Sequence, residues 1–170
     1  MPGLAEKIDQ SLSDVPNREG KYLTFTLDKE EYGIGILKIK EIMGMMPITS
    51  VPRTPDFVKG VINLRGKVIP VVNLRSRFDM EEITDTERTC IIVVEIEGSS
   101  AKLLMGVVVD SVSEVLYIKG DEIEDPPAFG AGTETDYILG MAKMEGGVKI
   151  LLDIDRVLSR EEIAALHNPQ

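Results

Sequence analysis

Apolar and polar residues alternate with a period of two along most of the chain, the pattern of strands with one face buried. From Lys21 to Leu27, Leu23, Phe25 and Leu27 alternate with Tyr22, Thr24 and Thr26, and Tyr32-Gly-Ile-Gly-Ile36 follows as a return strand after a polar turn. Phe57–Leu64 and Lys67–Leu74 are two runs rich in β-branched residues, joined at Arg65-Gly66, which predicts a tight hairpin. Pro70 has no amide donor, so it marks an edge position or a bulge. Thr89–Ile96 and Lys102–Val109 predict another hairpin, and Tyr137–Met144 with Val148–Leu152 a last one. Two stretches depart from this period. Ile36, Ile39, Ile42 and Met43 step by three and four, predicting a short helical turn with Glu41 outward. Ser159-Arg-Glu-Glu162 is a capping box that opens a final helix through Ile163 and Leu166.

The chain states its plan twice. At a shift of 80 residues, Phe57, Gly60, Leu64, Gly66, Val71, Val72 and Leu74 fall on Tyr137, Gly140, Met144, Gly146, Leu151, Leu152 and Ile154. At a shift of 73, Gly33, Ile34, Ile39, Glu41 and Ile42 fall on Gly106, Val107, Val112, Glu114 and Val115. Two like copies are too few for a solenoid and describe a pair of modules. Each module is small enough to be marginal alone, so a core shared between them is expected. About ten short strands favour two small β-barrels of roughly five strands each over one open sheet. The predicted division is a flexible N-terminal tail (residues 1–20), a first barrel (21–85), a second barrel (86–152) and a C-terminal helical segment (153–170).

Composition narrows the chemistry. The net charge of −10 disfavours nucleic acid and anionic lipid as partners, and no apolar run, the longest being Leu103–Val109, is long enough for direct membrane insertion. The charge is uneven: residues 1–85 carry 12 basic and 13 acidic side chains, residues 86–170 carry 7 and 16. One basic and one acidic face could join like modules head to tail, or could be two solvated surfaces. The single cysteine, Cys90, lies in a strand pattern, fits a reducing cytoplasm and is expected to be a small core residue. With one histidine, His167, close to the end, neither a hydrolase triad nor a zinc site can be assembled. No catalytic residue, metal or cofactor is therefore expected. An acid/base enzyme with paired carboxylates is the contrasting reading, and a binding module the favoured one. The copies differ most at the hairpin tip, where Asn63-Leu-Arg-Gly66 is answered by Lys143-Met-Glu-Gly146. Arg65 there is either idle in an exposed turn or organises carbonyls or carboxylates through its five donors.

Gly60-Val-Ile-Asn-Leu-Arg-Gly66 with Val68-Ile-Pro-Val-Val-Asn-Leu74 resembles the signature of the CheW family of chemotaxis coupling proteins. The resemblance runs from about Lys21 to Leu166 and includes Glu31-Tyr-Gly-Ile34, Ile39-Lys-Glu-Ile42, Gly106-Val-Val-Val-Asp110 and Tyr137-Ile-Leu-Gly140. It implies two interlocked SH3-like five-stranded barrels and no catalysis. It also implies a cytoplasmic adaptor, recruited to membrane arrays, that joins the tips of chemoreceptors to the regulatory domain of the kinase CheA, with like modules in rings. The same scaffold in a paralogous pathway, pilus motility or second-messenger signalling, is the alternative. The receptor groove implied by the resemblance holds Ile36, Ile39, Glu41, Ile42 and Val112. Gly60, Asn63, Arg65 and Gly66 are the implied coupling residues around the hairpin tip.

Overall fold

Regular structure begins at β1 (Gly20–Leu27) and β2 (Glu30–Gly35), followed by a 3-10 turn (Ile36–Lys38) and β3 (Ile39–Gly44). Then come β4 (Val58–Leu64), β5 (Lys67–Asn73) and the single-turn α1 (Leu74–Arg77). The second copy supplies β6 (Cys90–Glu97), β7 (Lys102–Val109), β8 (Ser111–Ile118), a 3-10 turn (Gly120–Glu122) and β9 (Ile123–Glu124). It closes with β10 (Ile138–Met144), β11 (Gly147–Leu152) and α2 (Arg160–His167). This is a computed structural model and describes residues 18–98, 100–130 and 134–167. Most of the expected N-terminal tail lies outside the described residues. Arg18 belongs to the folded body, since its guanidinium donates to Asp125 at 2.7 Å and to the Leu139 carbonyl at 3.3 Å.

The protein is mainly β, in two sheets, with a short C-terminal helix. The strand orders are β8-β1-β2-β11-β10-β9 and β3-β6-β7-β5-β4. One sheet has the expected five strands, and the other gains a sixth, the two-residue β9. The boundary predicted near residue 85 does not separate the sheets. Hairpin β1–β2 of the first copy pairs with β8 and β11 of the second. Hairpin β6–β7 of the second pairs with β3 and β5 of the first. The copies have exchanged their opening hairpins. Neither half buries its strand edges alone, which ties the two modules into one cooperative body.

The shared core expected from module size lies between the sheets. It contains Leu23, Phe25, Leu27, Ile34, Val72, Leu74, Ile92, Val94, Val107, Val109, Leu152 and Ile154, together with Ile163 from α2. Each sheet also curls over a cluster of its own. Ile62, Ile69, Val71, Ile91, Val93 and Val108 form one, and Tyr22, Ile118, Ile123, Ala142 and Leu151 the other. The glycines matched between copies sit where the exchanged strands meet. A Cβ on Gly33 would come 2.9 Å from Leu151, and one on Gly106 would come 3.0 Å from Ile91 and 3.4 Å from Val71. Gly33 pairs with Leu151, and Gly106 with Val71, in the two parallel joints. Pro70 is not at an edge, because β5 lies between β7 and β4. It stands just before Val71, where pairing to β7 starts, so its missing donor falls outside that ladder. Ser159 caps α2 as predicted: the Glu162 amide donates to its hydroxyl at 3.1 Å, and the Ser159 amide donates to the Glu162 carboxylate at 2.7 Å.

Candidate functional site

The three-and-four spacing of Ile36, Ile39 and Ile42 does not come from a helix. Only Ile36–Lys38 turns, and Ile39–Gly44 is a strand. A register shift between Ile39 and Glu41 explains the pattern. Ile39 opposes Val94 and Ile42 opposes Ile92, while Glu41 and Met43 oppose Val93 and Ile91. In a regular strand, residues three apart point to opposite faces; one extra residue at a bulge returns them to the same face. Val94 and Ile92 belong to the shared core, so Ile39 and Ile42 both point toward the side between the sheets. Sheet-forming β-branched isoleucines and the bulge together imitate a helical period.

The same device recurs on β8. Val112 opposes Phe25 and Val115 opposes Leu23 across a register shift, and both partners belong to the shared core. β3 and β8 are each the outer strand of their sheet. Ile36, Ile39 and Val112 are half-buried and pack against the shared core. Ile42 lies farther out, 44% exposed, and its counterpart Val115 is 49% exposed. The structure thus brings Ile36, Ile39 and Val112 to the border of one core, with Ile42 as an outer position. Two apolar residues here escaped sequence reasoning. Val115 was legible as the image of Ile42 in the second copy. Leu37, 91% exposed in the 3-10 turn, carried no sequence signal because its neighbours are apolar too.

Glu41 faces the other way, toward the hairpin tip. Its carboxylate accepts a hydrogen bond from Arg65 Nη2 at 2.8 Å and forms an ion pair with Nη1 at 2.7 Å. β3 and β4 are at opposite edges of their sheet, so this pair draws the edges together across the curl. The Arg65 guanidinium is held above its ordinary value by Glu41, the hydrogen bond being the main cause. Arg65 (φ 52°) and Gly66 (φ 86°) form a two-residue turn with both residues left-handed, as a tight hairpin requires. Asn63 steadies it by accepting the Gly66 amide at 2.8 Å. Gly60 is not part of the tip. It is buried within β4, at a register shift, with φ 145°, and a Cβ there would sit 2.0 Å from the Thr49 carbonyl oxygen. Its role is to let the Thr49 strand cross.

Two ion pairs flanking β3 and β8 were not legible as contacts. Arg75, only 7% exposed, donates from Nε and Nη2 to the two oxygens of Asp110, both at 2.8 Å, and from Nη1 to the Glu81 carbonyl at 2.6 Å. Asp110 also accepts the Asp28 amide at 2.9 Å. Burial pulls the Asp110 carboxyl upward, but Arg75 and that amide outweigh it and hold it below its ordinary value. On the other side, Lys38 meets Asp155 at 2.6 Å, and Asp155 accepts the Glu97 amide at 2.9 Å. Burial raises the neighbouring Asp153 carboxyl above its ordinary value.

A duplicated β-scaffold with exchanged hairpins and an apolar border between its sheets has close counterparts among known proteins. A family model described as the CheW-like domain matches residues 21–162. Chemotaxis protein CheW of Klebsiella aerogenes is 40% identical over 148 residues, covering 87% of each chain. Chemotaxis protein CheW of Treponema pallidum is 30% identical over 158 residues, covering 91% of each. The crystal structure of the scaffolding protein TtCheW from Thermoanaerobacter tengcongensis superposes with a TM-score of 0.74 at 34% identity, over 85% of this chain and 97% of that one. These matches place the molecule among the scaffold proteins of chemotaxis. The chain belongs to the CheW family. Among its described residues no helix is long and apolar enough to cross a membrane.

Proposed function

We propose that the protein is a non-enzymatic chemotaxis adaptor that couples chemoreceptor tips to the regulatory domain of CheA. The helical receptor tip lies against the apolar border formed by Ile36, Ile39 and Ile42 on one side and Val112 on the other. The observation that carries this reading is the pair of bulges. They turn apolar residues of two outer strands toward one shared core, leaving Ile42 and Val115 exposed at the rim. Half-buried aliphatic rows of this kind suit the apolar stripe of an amphipathic helix. Glu41 stands beside the receptor border, and the tip residues Asn63, Arg65 and Gly66, with Gly60 behind them, serve kinase coupling. The basic stretch from Arg53 to Arg77 and the acidic second half orient like modules head to tail in rings. The protein works in the cytoplasm, gathered at receptor arrays.

Co-sedimentation with receptor-containing membranes, with and without CheA, tests the reading. Ile39→Asp puts a charge on the border and is expected to abolish retention while circular dichroism stays that of the folded protein. Retention equal to wild type would remove the groove from the account. Arg65→Glu is expected to retain receptor binding and to lower kinase activation in reconstituted arrays.

A further inference from the structure

Each strand of the proposed groove starts directly after a clasped residue. β3 begins after Lys38, which is paired with Asp155. β8 begins after Asp110, which is paired with Arg75. Arg75 and Asp155 are images of one another at the shift of 80 residues, whereas Lys38 falls on Ser111, one residue beyond Asp110, at the shift of 73; the two clasps thus occupy similar places with their charges reversed, without matching residue for residue. In both, the carboxylate also accepts an amide at the turn of an exchanged hairpin, Asp28 in one and Glu97 in the other. The Arg75 clasp is buried. The Lys38 clasp is not: its side chains are 33% and 26% exposed.

An exposed pair usually contributes little, because two long side chains must be ordered in water. Here only Lys38 has to be ordered. Asp155 lies between the buried residues Ile154 and Val157. Its own amide donates to Asp153 at 3.2 Å, and its Oδ1 is occupied by the Glu97 amide, which leaves Oδ2 aimed at Lys38. Lys38 is the last residue of the turn that carries Ile36 and Leu37. The turn is otherwise closed by a hydrogen bond from the Ile39 amide to the Ile36 carbonyl. It touches both β1 and β6, one strand from each sheet.

We infer that Lys38 and Asp155 are positioning residues for the groove: their ion pair fixes the Ile36–Lys38 turn, so that Ile36 packs on the shared core and Leu37 is presented to the partner. This rests on the groove reading above. The second copy cannot do the same, since no turn separates β7 from β8. The groove therefore has one lip locked in the core and one set from the surface.

Amide exchange of the Ile36–Ile39 segment and retention on receptor-containing membranes, both measured on the full chain, test the inference. Lys38→Met and Asp155→Asn are each expected to speed exchange in the turn and weaken retention about fivefold, with no further loss when combined. Lys38→Arg keeps a cation facing Asp155 Oδ2 and leaves the Glu97 amide its acceptor, and is expected to keep both readouts near wild type. Unchanged exchange in Lys38→Met, or a loosened turn that binds as wild type does, would overturn the inference. If wild-type protein itself is not retained, the groove reading fails, and the exchange measurement still decides whether the pair fixes the turn.

Discussion

At the tip of the first copy, Arg65 is paired with Glu41 through one hydrogen bond and a close ion-pair contact. At the corresponding places in the second copy stand Glu145 and Glu114, two acids that cannot pair. The turns differ accordingly. Arg65 is held left-handed, whereas Glu145 is not among the residues with positive φ. The copies agree instead where a Cβ would be crowded by a neighbour, at Gly33 and Gly106 in the parallel joints and at Gly60 and Gly140 beside the bulges. Duplication thus preserved steric necessities and released the charges. A charged contact unique to one copy is a candidate for function, and a glycine common to both is a requirement of the fold.

The sharpest way to break that comparison is at the glycines. Gly60→Ala forces a Cβ onto a backbone carbonyl and is expected to cost about 4 kcal/mol or prevent folding, read by urea denaturation. Gly66→Ala meets nothing within 4 Å and is expected to cost only about 1 kcal/mol for its left-handed backbone. Next comes Arg75→Met. It leaves Asp110 without its partner in a largely buried site and is expected to cost about 3 kcal/mol, against at most about 1 kcal/mol for Lys38→Met.

The pH dependence changes sign in the same experiment. In the wild type the Asp110 carboxyl is held below its unfolded value. Its contribution is full above the ordinary carboxylate range and is lost as pH falls through the lowered folded value. Without Arg75, burial dominates and raises that carboxyl, so Arg75→Met should recover relative stability as the solution is acidified through the carboxylate range. Asp153, already raised by burial, opposes folding at neutral pH, and Asp153→Asn should flatten that part of the profile. The smallest effect sharpens the comparison from the other side. Glu145→Arg offers Glu114 the partner that Glu41 has, and a small rise in thermal midpoint is expected.

Much of this was legible in the sequence. The hairpins at Arg65-Gly66 and Glu145-Gly146, the duplication and the capped last helix follow from local periodicity and turn chemistry. The exchange of hairpins does not, because the parallel joints Val71–Gly106 and Leu151–Gly33 are long-range pairings that leave no local period. The bulge after Ile39 imitates a helical period in a strand, yet Ile36 and Ile39 from that pattern, and Val112 implied by the family resemblance, do border one core. Arg75 was hidden in a charged connection, since burial of an arginine depends on a partner 35 positions away.

The central claim is that the border between exchanged modules receives a helical partner. Methyl-selective NMR of the Ile, Leu and Val side chains, titrated with a soluble receptor hairpin, tests it most directly. Shifts are expected at Ile36, Leu37, Ile39, Ile42 and Val112, with Val68 and Val148 unmoved on the β4–β5 and β10–β11 hairpins. Shifts confined to Val68 or Val148, with the groove methyls silent, would contradict it.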